Sequence, residues 1–309
     1  MEIFLPIAHM DINLVVILMF GVMVGFLSGL VGVGGGFLIT PLLIFTGVPP
    51  IVAVATGSAQ MAGTSAGATY SHWRLGNVDF RMGVVLLIGS WIGGASGVQL
   101  ANVLTKSGQF GNIVTFLYVA LLGVIGVSMM IESVKVVFGI TKPATAETTS
   151  SDSVMAKLMH RLPWRVKFAV SGLEISVVVP LILGVMVGVL TSLMGVGGGF
   201  VMVPVMIYLL KMPTKIVVGT SLFQLLFTTM VVSVMQAGVN HAVDPFLALI
   251  LILGSAFGTQ WGARAGMRLP AEKLRLILAL VVVAVAIKML FGLLMTPDEV
   301  FSLTRMVVQ

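Results

Sequence analysis

The chain has no cysteine, and only 9% of its residues are charged. The first absence excludes disulfides, thiolate metal sites and any cysteine-based sulfur relay, and it leaves the redox compartment unmarked. The second excludes an ordinary soluble domain, in which about a quarter of residues carry charge. The four histidines, at 9, 72, 160 and 241, fall in no HExxH or HxH spacing and join no carboxylate cluster, so neither a metal nor a cofactor is expected. Residues 1–13 contain Glu2 and Asp11 but neither Lys nor Arg. They therefore lack the basic start of a secretory signal peptide, and the first apolar run reads as a retained helix. Carboxylates are also missing from the middle of every apolar run: Asp79, Glu132, Glu174 and Asp244 all lie at ends, which leaves a carboxylate proton relay without support.

What is abundant is apolar surface and glycine. Hydrophobic residues make up 58% of the chain and Gly occupies 36 of 309 positions, the composition of a polytopic membrane protein whose helices approach closely or unwind. Runs of about 20 apolar residues, enough to cross about 30 Å of hydrocarbon as helix, occupy 12–31, 51–71, 82–101, 112–131, 176–194, 216–236, 245–263 and 276–295. Two shorter runs, 37–47 and 200–210, would reach only about half a membrane as helix.

Two stretches are nearly the same sentence. GVMVGFLSGLVGVGGGFLITP, residues 21–41, matches GVMVGVLTSLMGVGGGFVMVP, residues 184–204, without a gap, which indicates duplication. The expected organisation is a first transmembrane repeat over 1–138, a linker over 139–175 and a second repeat over 176–309. The linker's KPATAETTSSDS reads as flexible, and MAKLMHRLPWRVKF as a basic segment lying on anionic lipid.

Charge orients the chain. Lys135, Lys142, Lys157, Arg161, Arg165 and Lys167 place the linker in the cytoplasm by the positive-inside rule. The loop bearing Arg74 and Arg81 then falls inside, whereas its counterpart at 237–244 has no Lys or Arg and falls outside. The loop near Lys106 is expected outside and its partner, with Arg264, Arg268, Lys273 and Arg275, inside. The fold class read from this is an all-α polytopic membrane protein of two inverted-topology repeats, with about eight full transmembrane helices and two short Gly-broken elements. Both termini are outside if each glycine word and its short helix cross as one interrupted span. The net charge of +6 is then topology, and no nucleic acid is expected as a partner.

The glycine words carry the chemistry. Gly34, Gly35 and Gly36, and Gly197, Gly198 and Gly199, are poor helix residues that leave amides uncovered, and Pro41 and Pro204 should break helix at Phe37 and Phe200. Unpaired backbone cannot face lipid, so two such breaks imply an interior site. A short helix starting just after each word turns its positive end toward the glycines, which favours an anion. Inverted repeats bring the breaks together near the midplane, where secondary transporters hold substrate. The words follow no βαβ strand and precede no GKS or GKT, so a nucleotide loop is excluded.

Downstream, Thr56 aligns with Thr220 and Gln60 with Gln224, with Ser58 and Ser221 nearby; the paired glutamines are the stronger candidates, because an amide in hydrocarbon needs several partners. Gln99 and Gln260 are weaker candidates of the same kind. His72 and Arg74 end one such helix, and Asn240 and His241 follow its counterpart; interface anchoring is the first reading there, gating or anion collection the second. Lys288 is expected to snorkel from the last run.

The doubled GVGGGFLITPLL and GVGGGFVMVPVM, with VATGSAQ and VVGTSLFQ after them, resemble the sulfite exporter TauE/SafE family over nearly the whole chain except the linker and ends. The resemblance implies a bacterial inner-membrane permease of about eight spans for sulfite, organosulfonates such as sulfoacetate, or related small anions. It also implies that the glycine amides bind the oxyanion, that Gln60 and Gln224 complete its shell, and that Thr56, Ser58, Thr220 and Ser221 assist. The reading is therefore a secondary transporter, not an enzyme, that exports the anion by alternating access. The alternatives are an uptake permease for a small carboxylate or sulfur-containing anion, an anion channel, or a membrane-embedded enzyme, the last disfavoured by the absence of paired carboxylates. The expected partners are the small anionic substrate, membrane lipids and, through exposed helix faces, a second copy of the chain.

Overall fold

A computed structural model of the chain describes residues 2–31, 36–137, 165–168, 170–208, 210, 212–266 and 271–294. Among them are ten helices: α1 (Leu14–Val31), α2 (Gly36–Phe45), α3 (Pro50–Arg74), α4 (Phe80–Lys106), α5 (Phe110–Val137), α6 (Val178–Met194), α7 (Gly199–Tyr208), α8 (Thr214–Val239), α9 (Pro245–Gly266) and α10 (Ala271–Leu294). Eight of these fall on the long apolar runs and two on the short ones. By length and composition, however, five are long and apolar enough to cross a membrane: 80–106, 110–131, 215–239, 245–262 and 276–294. The expected eight full spans are thus reduced to five on this measure. The reason is local: α1 and α6 are apolar but short, and α3 has the length but spends it on Thr, Ser, Gln, His and Arg.

Two β-hairpins depart from the all-helical expectation. β1 (Glu2–Leu5) pairs antiparallel with β2 (Met10–Asn13), and β3 (Arg165–Phe168) with β4 (Leu173–Ser176). Each precedes the first helix of its half, and each turns through a residue with positive φ, His9 at 51° and Gly172 at 69°. Leu5 and Phe168, at the ends of the first strands, are both buried. The second hairpin lies in the stretch read as linker; its strands are short and alternate charge with apolar residues, and Lys167 Nζ bridges to Glu174 Oε1 across it at 2.6 Å. The KPATAETTSSDS segment lies outside the described residues.

The two stretches read as repeats do not pack as separate bodies. The most extensive helix pairings, α1 with α9, α4 with α6, α5 with α10 and α3 with α8, each join one stretch to the other. The first two are glycine seams. A Cβ on Gly21 would stand 2.9 Å from Leu251 O, and one on Gly254 2.7 Å from Leu18 O, so α1 and α9 meet backbone to backbone. Gly89, Gly93, Gly184 and Gly188 make the same contact between α4 and α6, where any Cβ would overlap the facing main chain. Such approaches supply dispersion contacts where water cannot drive association.

Two buried aspartates tie the hairpins to these seams. Asp79 caps α4, its Oδ1 accepting from Met82 N at 3.1 Å. Its Oδ2 accepts from Ser171 N at 3.0 Å and from the Ser171 hydroxyl, both in the β3–β4 turn. Asp244 caps α9, its Oδ1 accepting from Phe246 N and Leu247 N at 3.1 Å, while its Oδ2 accepts from Ile7 N in the β1–β2 turn at 3.3 Å. Each carboxylate thus takes three donors at a helix N-terminus, where the dipole also favours its charge.

Replacing Asp79 by Ala removes a cap and strands buried donors. It is expected to cost about 1–3 kcal/mol, read as a lower thermal midpoint of the purified protein in detergent. Asp244→Ala should cost less, because its tie to the hairpin is one longer bond; a larger loss at Asp244 would contradict this account.

Candidate functional site

The second glycine word is broken as its residue types dictate. α6 ends at Met194, and Gly195 caps it in the left-handed region at φ 68°, donating its N–H to Thr191 O at 2.8 Å. Gly197 and Gly198 follow at φ 67° and 71°, conformations that side-chain-bearing residues resist. Gly198 O then accepts from Val201 N at 3.1 Å and Met202 N at 2.7 Å, starting α7. Residues 191–200 are all buried, yet among the described residues the amides of Gly197 and Gly198 have no acceptor. They lie at the N-terminus of α7, where the dipole reinforces them as anion donors.

Of the first word, Gly34 and Gly35 lie outside the described residues, and Gly36 opens α2. The starts of the two short helices meet: the rings of Phe37 and Phe200 stack at 4.4 Å with 17° between their planes. Met61 of α3 lies against both words, because its thioether would clash with a Cβ on Gly36 or on Gly197. The expected break at the prolines is not where the chain breaks. Pro41 and Pro204 sit inside α2 and α7, close enough to each helix start that the bond they delete is one of the first turns only.

The downstream polar residues divide into three groups. Thr56 and Thr220 serve the helix caps: Thr56 Oγ1 accepts from Asp244 N at 3.1 Å and Thr220 Oγ1 from Asp79 N at 3.0 Å. Ser58 and Ser221 donate to carbonyls of their own helices, Val54 O and Val218 O, both at 3.0 Å. Gln60 and Gln224 are buried, and the Oε1 of each has no hydrogen-bond partner among the described residues. Gln224 Nε2 donates to Ser90 Oγ of α4 at 2.7 Å. Gln99 and Gln260 are exposed on outward helix faces, away from this interior.

At the helix ends, His72 is half-buried with Nδ1 unpartnered, and the Arg74 guanidinium lies 5.9 Å from the Tyr70 ring centroid. Asn240 caps α8 and donates through Nδ2 to Gln236 Oε1, whose Nε2 in turn reaches Ser192 O at 3.0 Å. His241 is exposed with φ at 49°. Lys288 Nζ sits 4.3 Å from the Phe45 ring centroid, at the C-terminal end of α2. There a cation–π contact and the negative end of a short helix both favour the ammonium.

Several residues that build this interior escape sequence reasoning. Thr40 lies inside the first repeated word, where the second has Val203; its buried Oγ1 stands 2.9 Å from where Cβ atoms on Gly57 and Gly195 would be. The Tyr118 hydroxyl of α5 donates to Met194 O at 2.5 Å, covering the last carbonyl before the break. Ser90 and Ser255 occur in the matched words LLIGS and LILGS, and Asp79 and Asp244 in NVDF and AVDPF. That doubling was a readable signal. Tyr118 has none.

The model of the sulfite exporter TauE/SafE family matches residues 17–289. Curated relatives include the probable membrane transporter proteins YunE and YjnA of Bacillus subtilis. YunE is 25% identical over 90% of this chain and 98% of that protein; YjnA is 26% identical over 89% and 98%. A shorter similarity, 33% over 26% of this chain and 18% of the other, is to the sulfite exporter TauE/SafE family protein 3 of Arabidopsis thaliana. No solved structure matches.

If the second break is set by left-handed glycines, Gly195→Ala should destabilise by at least about 1–2 kcal/mol, since its Cβ would also stand 2.7 Å from Val54 O. Gly67→Ala is the control, an exposed helical glycine with open space around its Cα, where Ala should be neutral or stabilise by up to about 1 kcal/mol. Thermal midpoints of the two variants, compared with the parent, check both.

Proposed function

Because the chain belongs to the sulfite exporter TauE/SafE family, we propose that this multi-pass membrane transporter exports a small oxyanion or organosulfonate by alternating access at an interior site between its glycine breaks. The observation that carries the reading is the buried pair of amides at Gly197 and Gly198, which have no acceptor among the described residues and lie at the start of α7, where Met61 packs against Gly197 and Phe37 stacks on Phe200. Backbone donors of this kind bind an oxyanion without importing a fixed positive charge into hydrocarbon. The likeness of the two glycine words in sequence extends this proposed role to Gly34 and Gly35, which lie outside the described residues.

Inverted repeats account for the pairing of elements. Hairpin, first helix, short helix and long helices recur in one order, and each stretch caps and seams the other through equivalent residues. The proposal places the 75–79 and 240–244 loops on opposite faces of a bacterial inner membrane, with the central linker cytoplasmic. Exposed apolar residues such as Trp91, Phe116, Phe257 and Trp261 face lipid. Outward movement of an anion from a cell that is negative inside is driven by about 2.3 kcal/mol per charge per 100 mV, so export needs no coupling ion and no carboxylate relay.

Two measurements test this. In proteoliposomes, sulfite or sulfoacetate flux should be saturable, accelerated by a potential that is negative on the anion's side, and at least about tenfold faster than flux of acetate; flux of no sulfur anion would end the reading. The lack of cysteine allows topology to be read without background. Leu75→Cys should react with an impermeant maleimide only after permeabilisation, and His241→Cys in intact cells. Labelling of both from one side would refute the inverted arrangement.

A further inference from the structure

We infer that the anion carried by this chain bears a hydrogen-bond donor of its own, an O–H received by the side-chain carbonyl oxygen of Gln224. Singly protonated oxyanions and hydroxylated sulfonates would then be preferred over anions that have acceptor oxygens alone. The inference rests on the anion-site reading above and narrows it.

Its basis is the orientation of one amide. Ser90 Oγ donates its only proton to Leu86 O at 2.8 Å. What it offers to Gln224 in that arrangement is a lone pair, and the contact at 2.7 Å is made by Nε2. With the Ser90 proton on Leu86 O, turning the amide over would set two acceptors against each other. Gln224 Oε1 is thus an acceptor turned away from Ser90; it is fully buried and has no partner among the described residues. A carbonyl oxygen in that position can be satisfied only by a donor.

The surroundings extend the argument. Thr228 stands one turn along the same face of α8, and its buried Oγ1 is also unpartnered. In the other stretch the corresponding Thr64 is already committed to Gln60 O at 3.2 Å, whereas Gln60 Oε1 is buried and unpartnered like that of Gln224. Leu225, next to Gln224, has its Cδ1 2.8 Å from where a Cβ on Gly197 would be, so this stretch of α8 borders the second break. The interior therefore offers donors from the glycine amides and an acceptor from Gln224. An alkyl sulfonate presents acceptors only and leaves the Gln224 oxygen opposed. An anion with an O–H satisfies both sets, and sites built to receive a hydroxyl reject the analogue that lacks it.

The test compares 2-hydroxyethanesulfonate with ethanesulfonate, which carry the same charge and differ by one hydroxyl. Their affinities for the purified full-length protein are measured by competition against sulfite flux in proteoliposomes. The hydroxylated probe should bind at least about tenfold more tightly, and the ratio should fall toward one in Gln224→Met. If that variant is not monodisperse, Ser90→Ala, which unpins the amide, should also lower the ratio. Equal affinities, or a ratio unchanged in a folded Gln224→Met protein, would overturn the inference while leaving the anion site standing. Failure of sulfite and both probes to bind would overturn the anion site itself, and this inference with it.

Discussion

Everything in this fold depends on main chain lying directly against main chain. Where Gly21 and Gly25 of α1 meet Gly254 and Gly258 of α9, and where Gly184 and Gly188 of α6 meet Gly89 and Gly93 of α4, no side chain intervenes. Helices held this closely can enclose a segment with unpaired amides and keep it from lipid, where each exposed group would cost several kcal/mol. The break at 195–198 is affordable because the seams are tight. A single alanine at any of these positions pushes on backbone, which cannot step aside as a side-chain tip can.

The seams also explain why the aspartates matter. α4 and α9 each begin beside a hairpin distant in sequence, and each begins on a carboxylate that binds its own helix and that hairpin together. Thr220 and Thr56 complete the joints by accepting the aspartate amides. These threonines therefore hold the elements that frame the interior.

Much of the architecture was legible because membrane spans are written in composition. The apolar runs located the helices to within about six residues at each end, and the doubled glycine word located the break in the second stretch. The hairpins were not legible: RVKF and LEIS are too short to show a period, and their role comes from a contact with Asp79 made across the sequence. Asp79 and Asp244 were seen only as residues at the ends of runs. What distinguishes them is burial, and the sequence hint to it was their recurrence in both stretches. Thr40 and Tyr118 could not be found, since each matters through neighbours that only folding supplies.

The two stretches carry matched residues, and the matches are not complete. Asp79 takes two donors from Ser171, whereas Asp244 takes one longer bond from Ile7. Thr40 is opposed by Val203, and the Tyr118 hydroxyl closes one break at Met194. In a transporter that exchanges the roles of two related units, perfect symmetry would make the two end states equal in energy, and ligand alone would choose between them. Unequal ties remove that equality: the end of the molecule held by Asp79 and Ser171 has more hydrogen bonds to release than the end held by Asp244 and Ile7. In a transporter of that kind, states of unequal energy would set the resting population to one side before ligand binds, and the ligand's work would be to offset that difference. Under such a mechanism helix caps alone can set a preference for one direction, without any change in residues that touch a ligand.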